Sequence, residues 1–155
     1  MGARDRLEAY LRENDVPFEL RRHQAAYTAQ EVAALEHVPG RRFAKAVLAE
    51  ADGRPVMLVV AAPDRVDLER AARLTGAAEL RLLGEREFAG HFSDCEVGAA
   101  PPFGALYGVP VFVDDALTRE DTIYVRAGSH SEVFGLKCGD FLRVERPVTG
   151  PLAVR

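Results

Sequence analysis

The sequence predicts an α+β domain built around a mixed β-sheet, and three observations support this fold class. Apolar runs of strand length and amphipathic helical segments are intermixed along the chain but do not alternate strictly. Two of these runs, residues 43–49 and 55–62, are joined by a turn containing Asp52 and Gly53, which is typical of a β-hairpin. The composition does not change along the 155 residues, so we expect one domain covering residues 1–155.

Capping residues and apolar spacing predict three helices in the N-terminal half. Apolar side chains at helical spacing predict a first helix over residues 4–14. The segment from Thr28 to Glu31 is a capping box that begins a second helix, which runs to Leu35. Asp67 caps a third helix, and Gly76 ends it. Short strands are expected beside these helices, at residues 18–22 and 79–83.

The C-terminal half is predicted to contain a long loop between two groups of regular elements. Residues 93–108 are rich in Gly and Pro, and loops of more than about 12 residues in a compact domain are usually functional or disordered. Phe103, Leu106 and Tyr107 favour an ordered loop here. The remaining predicted elements are helices at 85–92 and 139–144, and strands at 110–113, 122–126 and 131–136.

Composition excludes several classes of protein. Hydrophobic residues make up 48% of the chain and charged residues 28%, which is typical of a globular protein. No apolar stretch approaches the ~20 residues of a membrane-spanning helix. Residues 1–13 are charged throughout, unlike a secretory signal. We therefore expect a cytoplasmic protein without a membrane partner.

The cysteines indicate neither a disulfide framework nor a metal site. Cys95 and Cys138 are too few to cross-link a domain of this size, and their spacing fits no zinc motif. His91 and Cys95 could share a helix face, but further metal ligands are missing nearby in the sequence. We expect two reduced thiols and no metal.

The negative net charge argues against extensive contact with a nucleic acid but allows a local one. The formal charge of −4 disfavours non-specific binding, which depends on neutralising phosphates. A protein that contacts only the end of an RNA needs no more than a local basic rim. Two arginine pairs could form this rim or could be solvated surface; they are Arg21, Arg22, Arg41 and Arg42.

Lys45 is the first candidate for chemistry. It lies in the predicted strand at 43–49, where the other residues are apolar, and it shares a face with Phe43 and Val47. An ammonium among apolar neighbours loses hydration unless an anion or a cavity meets it. Two explanations without a catalytic role stay open. The lysine could lie on an edge strand and discourage aggregation there, or it could extend its amine to water.

Two further segments combine flexible and rigid residues. In the segment from Gly98 to Gly104, glycine permits a close approach of the backbone to a ligand, and Pro101 and Pro102 stiffen the chain. A rigid turn of this kind can form an oxyanion hole with its amides. The alternative is a plain Pro-rich turn without a function. His130 follows Gly128 and Ser129 at a predicted turn between strands, where it could orient a substrate or relay a proton, or could be inert. For Thr28, helix capping is already a sufficient explanation.

Together these motifs resemble the YbaK/prolyl-tRNA-synthetase-associated domain family. The likeness covers residues 23–144 and rests on four features in the same order: the segment from Thr28, Lys45 on a strand, the loop from Gly98, and the turn at 128–130. The resemblance implies a mixed, strongly curved sheet surrounded by helices. It also implies a trans-acting aminoacyl-tRNA deacylase that hydrolyses the ester of a mischarged tRNA at its acceptor end, without a metal or organic cofactor. An aminoacyl-tRNA synthetase is a potential partner.

The resemblance also implies roles for individual residues. Lys45, Gly98 and His130 would be catalytic, with Lys45 as the essential lysine and the backbone at Gly98 holding the aminoacyl carbonyl. Many relatives have Asn or Thr directly after the lysine, where this chain has Ala46, so the amino acid that is removed stays open. The positions expected to bind substrate are Thr28, Ala46, Pro101, Pro102, Phe103, Gly128 and Ser129.

Three alternatives remain open at the level of sequence. A module of the same fold could bind tRNA or a synthetase without catalysis, although an intact Lys45 and Gly-Pro loop argue against a decayed site. A hydrolase of small esters or thioesters is slightly favoured by the negative charge. A cysteine hydrolase lacks an obvious base near Cys95 or Cys138.

Overall fold

The computed structural model describes residues 2–96 and 98–154, and it contains helices and strands in mixed order. The helices of the described residues are α1 (Ala3–Glu13), α2 (Ala29–Leu35), α3 (Leu68–Thr75), α4 (Glu85–His91), α5 (Asp115–Thr118) and α6 (Cys138–Glu145). The strands are β1 (Phe18–Arg22), β2 (Phe43–Ala51), β3 (Arg54–Ala61), β4 (Arg65–Val66), β5 (Leu80–Leu82), β6 (Val111–Asp114), β7 (Thr122–Arg126), β8 (Glu132–Lys137), β9 (Val148–Gly150) and β10 (Ala153–Val154).

Within residues 2–96 and 98–154, the main sheet has eight strands and mixes parallel with antiparallel pairs. Its order is β1-β8-β7-β2-β3-β6-β9, and β5 also pairs with β2. The β2–β3 hairpin lies at the centre and turns through Asp52 and Gly53, both with positive φ. Strand β2 is parallel to β7, and β3 is parallel to β6. The predicted α+β class with a mixed sheet is therefore confirmed.

Strand β2 has an interrupted edge, and this interruption positions the candidate site. On that edge β7 pairs with Phe43 and Ala44, and β5 pairs with residues 49–51. The Phe43 carbonyl accepts from the Ala62 amide on the β3 side, whereas the Leu48 carbonyl accepts from the Leu83 amide on the other side. Because backbone groups alternate along an antiparallel strand, the N–H and C=O of Ala46 point into the interval between β7 and β5.

The two faces of the sheet bury different cores. The largest apolar cluster includes Ala44 and Leu48 of β2 and side chains of α1, α4 and α6. On the opposite face, Phe43 packs with α2, while Ala49 packs with α3. Lys45 lies on this second face, between the two smaller clusters.

The local elements follow the sequence signals closely. Thr28 accepts from the Glu31 amide at 3.1 Å, Asp67 accepts from the amides of Glu69 and Arg70, and Gly76 ends α3 in a left-handed conformation. Helix α4 ends at His91, so Cys95 lies beyond it, and the idea that these two residues share a helix face is wrong. Among residues 2–96 and 98–154, the longest helix has 11 residues, and no helix could cross a membrane.

Candidate active site

A cavity of about 430 Å³ lies at the interrupted edge of β2. It brings together three positions that the sequence singled out, Ala46, Gly98 and His130, which are far apart along the chain. Its apolar wall is formed by Leu48, Leu82, Leu83 and Phe88, and the remaining lining residues are Tyr27, Val47 and Gly84. The cavity therefore combines an apolar wall, the exposed backbone of a strand, and an imidazole.

Lys45 is the neighbour of Ala46 along β2, but Lys45 itself does not belong to the lining of this cavity. Its half-buried amine donates to the Ala62 carbonyl at 3.1 Å. Burial lowers the pKa of Lys45 from its ordinary value, and the nearby Asp64 carboxylate opposes that shift. Val47, on the same face and roughly 7 Å further along the strand, does line the cavity. Lys45 therefore lies between cavity-lining and core positions of β2, and contact of its amine with a substrate stays a prediction.

The backbone at Gly98 is shaped for close approach. Its φ is +83°, a conformation that favours glycine, and a Cβ added there would lie 3.9 Å from Cε1 of His130. The Ala99 amide donates to the Glu96 carbonyl at 3.0 Å, so it is already bonded. The oxyanion-donor role of the Gly98 amide stays a prediction.

The prolines and Phe103 of this loop lie in the protein interior. Pro101, Pro102 and Phe103 are buried and lie outside the cavity lining. The Phe103 ring packs edge-on against Tyr10 and Phe141, with centroid distances of 6.1 and 5.3 Å. The Phe103 ring therefore anchors the loop in the core, and direct substrate contact by Pro101, Pro102 and Phe103 stays a prediction.

Gly128 and Ser129 face a neighbouring cavity of about 420 Å³ beside the start of α1. Backbone bonds tie this turn to the Gly98 loop, since the Gly128 amide donates to Ala99 and its carbonyl accepts from Glu96. Gly128 has φ +92°, and an added Cβ would lie 2.4 Å from the Cβ of Ala3. The turn therefore needs glycine to let α1 pack against it.

This close contact predicts a large stability effect. We expect Gly128→Ala to lower the free energy of unfolding by about 2–4 kcal/mol, because left-handed strain and overpacking add. The measurement is urea denaturation. Gly139→Ala in α6 is the control, since an added Cβ there meets nothing within 4 Å and alanine favours a helix. Equal midpoints for the two variants would contradict the packing role.

His130 is held on several sides by residues that the sequence did not single out. Its Nδ1 lies 3.1 Å from Nη1 of Arg126, its backbone N–H donates to Glu96 Oε2 at 3.1 Å, and its ring packs on Tyr27 at 4.7 Å between centroids. Arg126 is only 5% exposed, whereas Tyr27 is 70% exposed. An arginine at the end of a strand gives no sequence signal that separates it from a surface arginine.

Thr28 and the four arginines have structural partners of their own. The Thr28 hydroxyl also donates to Glu31 at 2.9 Å, and Thr28 is absent from the cavity lining. Each arginine lies close to a carboxylate: Arg21 to Glu19 at 3.2 Å, Arg22 to Glu132 at 3.5 Å, and Arg41 and Arg42 to Glu120 at 3.5 and 3.1 Å. These pairs reduce the local positive charge, and tRNA contact by the arginines remains a prediction.

The thiols are unsuited to nucleophilic catalysis. Burial raises the pKa of the Cys95 thiol to about 12, and burial also raises that of Cys138. Cys95 contacts Tyr107 and Asp94, which hold the 93–108 loop against Arg6 of α1. Because the thiolate is the nucleophile, neither residue is activated. Over residues 2–96 and 98–154, no group of acidic, His or Cys side chains is arranged to bind a metal ion.

Comparison with known proteins identifies the family. The model of the aminoacyl-tRNA editing domain matches residues 23–144. The chain belongs to the aminoacyl-tRNA editing domain family. A relative from Bacillus subtilis (strain 168), the uncharacterized protein YwhH, is 30% identical over 139 residues, which cover 87% of this chain and 83% of YwhH.

Solved structures share the fold of this editing domain. One is described as "a putative trans-editing enzyme for prolyl tRNA synthetase"; its TM-score is 0.84 at 18% identity, over 99% of this chain and 98% of that one. The hypothetical protein APE2540 has a TM-score of 0.87 at 18% identity, over 96% and 99% of the two chains. At these identities the likeness concerns the fold. The family assignment rests on the match at residues 23–144.

Proposed function

We propose that this editing-domain protein is a trans-acting deacylase that hydrolyses the ester between a wrongly attached amino acid and its tRNA. The observation that carries the proposal is the cavity at the interrupted edge of β2, which joins Ala46, Gly98 and His130. Lys45 is the neighbour of Ala46 along the same strand. Family membership supports editing of aminoacyl-tRNA, and the cavity supplies groups suited to its ester.

The proposed reaction makes modest chemical demands. Water attacks the ester carbonyl, the tetrahedral intermediate expels the ribose oxygen, and the proton that the water loses is transferred to that oxygen, which gives free amino acid and intact tRNA. Positioning supplies much of the rate, because the ester is already activated by the neighbouring ribose hydroxyl. The Gly98 amide stabilises the oxyanion, and such a donor contributes about 2.7–4 kcal/mol in comparable sites.

Other groups of the cavity hold the substrate in this proposal. The Lys45 ammonium donates to the terminal phosphate or ribose, since its bond to the Ala62 carbonyl uses only one of its three donors. The N–H and C=O of Ala46 bond the aminoacyl end as an added strand would. The side chain of the amino acid rests on the apolar wall, where discrimination between neighbours amounts to ~1–3 kcal/mol per methylene.

The test is a panel of misacylated tRNAs incubated with the protein, with release of each amino acid followed over time. We expect fast release of a small subset, well above spontaneous hydrolysis. If no member is released, the protein is a non-catalytic binding module of the same fold.

A small-ester hydrolase is the second candidate, favoured by the net charge of −4 and by the pairing of Arg21, Arg22, Arg41 and Arg42 with carboxylates. Salt separates the two functions. Turnover of aminoacyl-tRNA at low substrate concentration should fall steeply as salt rises, whereas turnover of a neutral ester should stay constant.

A further inference from the structure

The buried guanidinium of Arg126 lies at the centre of a small hydrogen-bonded cluster that includes His130 of the cavity lining. Its Nη1 donates to the Ala26 carbonyl at 3.2 Å, and its Nη2 donates to the Tyr27 carbonyl at 3.0 Å. Nη1 is also 3.1 Å from Nδ1 of His130. The Ala26 amide in turn donates to the His130 carbonyl at 2.9 Å. One side chain thus joins the end of β7, the segment before α2 and the turn that carries His130.

The contact between Arg126 and His130 fixes the tautomer of the imidazole. A guanidinium has five N–H donors, accepts no hydrogen bond, and stays protonated in proteins. At 3.1 Å, Nδ1 of His130 must therefore be the acceptor, so the neutral ring carries its proton on Nε2. Nε2 is 3.8 Å from Glu96 Oε2, which is longer than a hydrogen bond but favours an N–H on that side of the ring.

We infer that His130 acts in the proposed site as a hydrogen-bond donor through Nε2, and that Arg126 is the positioning residue that sets this role. The inference rests on the proposed deacylase function. A ring with Nε2 protonated and Nδ1 bonded to an arginine has no lone pair with which to take a proton from water. It donates instead to an oxygen of the aminoacyl-ribose, either the ester carbonyl or a ribose hydroxyl. The attacking water is then not deprotonated by this histidine.

The same arginine orients the outer wall of the cavity. Tyr27 is 70% exposed and packs on the His130 ring, and its backbone carbonyl is bonded to Arg126. Loss of the guanidinium would remove the hydrogen bonds that hold both Tyr27 and His130. Loss of the imidazole alone would leave the Tyr27 carbonyl bonded to Arg126 at the end of β7. Variants of Arg126 should therefore raise KM as well as lower kcat.

The first test observes the ring directly and needs no substrate. Long-range 15N–1H NMR correlations of the full chain identify which nitrogen of each of the four histidines carries the proton. The His130 signals are those lost in His130→Gln. We expect a proton on Nε2 in the wild type and a mixture of tautomers in Arg126→Lys, whose single ammonium cannot meet all three acceptors. A wild-type ring protonated on Nδ1 overturns the inference, whether or not the protein deacylates tRNA.

The second test asks which function of the ring matters for turnover. The amide of Gln places an N–H near the position of Nε2, and that of Asn places one near Nδ1. With a tRNA that the wild type deacylates, we expect His130→Gln to retain at least 10-fold more activity than His130→Ala, and His130→Asn to resemble His130→Ala. Equal loss in His130→Gln and His130→Ala would indicate a base and overturn the donor role. If the wild type releases nothing, the proposed function fails, and the NMR result still decides the tautomer.

Discussion

Replacement of Lys45 by methionine should reduce deacylation by about 100-fold or more, because the ammonium positions the terminal phosphate or ribose, and a misplacement of about 1 Å at the reacting ester costs on this scale. Methionine keeps the apolar stem and removes the ammonium, whose hydration is already reduced by burial between two apolar clusters. The fold should therefore survive, since removal of a half-buried charge does not open a cavity. The measurements are single-turnover release of the amino acid and thermal unfolding of the same variant.

The chain supplies a matched control for this substitution. Lys137 is the only other lysine in the sequence, and it lies exposed at the end of β8. Lys137→Met removes the same charge far from the chemistry, so we expect wild-type turnover. Normal turnover in Lys45→Met, with an unchanged unfolding temperature, would remove Lys45 from the mechanism.

The second large effect is expected at Gly98. Alanine in its left-handed conformation costs about 1–2 kcal/mol, and the chain relieves this strain by rotating the peptide group that carries the amide. Loss of one oxyanion donor lowers kcat by about 10²–10³-fold. We therefore expect Gly98→Ala to reduce kcat in that range, with a smaller change in KM, measured by steady-state deacylation.

Gly108 is the control position that distinguishes loss of an oxyanion donor from the effect of backbone strain alone. It lies in the same segment with φ +67°, and a Cβ added there meets nothing within 4 Å. Gly108→Ala should therefore lose stability to a similar degree and keep its turnover. If both variants lose the same fraction of activity, the amide of Gly98 is not an oxyanion donor.

The regular elements could be predicted because their signals are local. Thr28 and Asp67 cap helices, Gly76 ends one, and the Asp52–Gly53 turn joins two strands, all through contacts within a few residues. The elements that the sequence analysis missed are short and depend on distant partners: α5, β4, β9 and β10 have two to four residues each. Strand β10, for example, forms only by pairing with β4, more than 80 residues earlier.

The site was predictable in part for the same reason. Lys45, Gly98 and His130 each stand out in their own segment, by charge in an apolar strand or by a glycine turn. Tyr27 and Arg126 do not, because their relevance comes from contacts across about 100 residues. The hydrogen bond of the Ala99 amide and the burial of Pro101 and Phe103 likewise depend on how the loop packs.

By itself the sequence determined the α+β class, the order of the main elements and the segments that carry candidate chemistry, since capping, turn formation and apolar periodicity act over a few residues. Only the tertiary structure decided where strand pairing on β2 stops, which residues meet at that interval, and which nitrogen of His130 faces Arg126. Those features depend on the register of strands and on the desolvation of groups brought together from distant segments, and no local pattern encodes either.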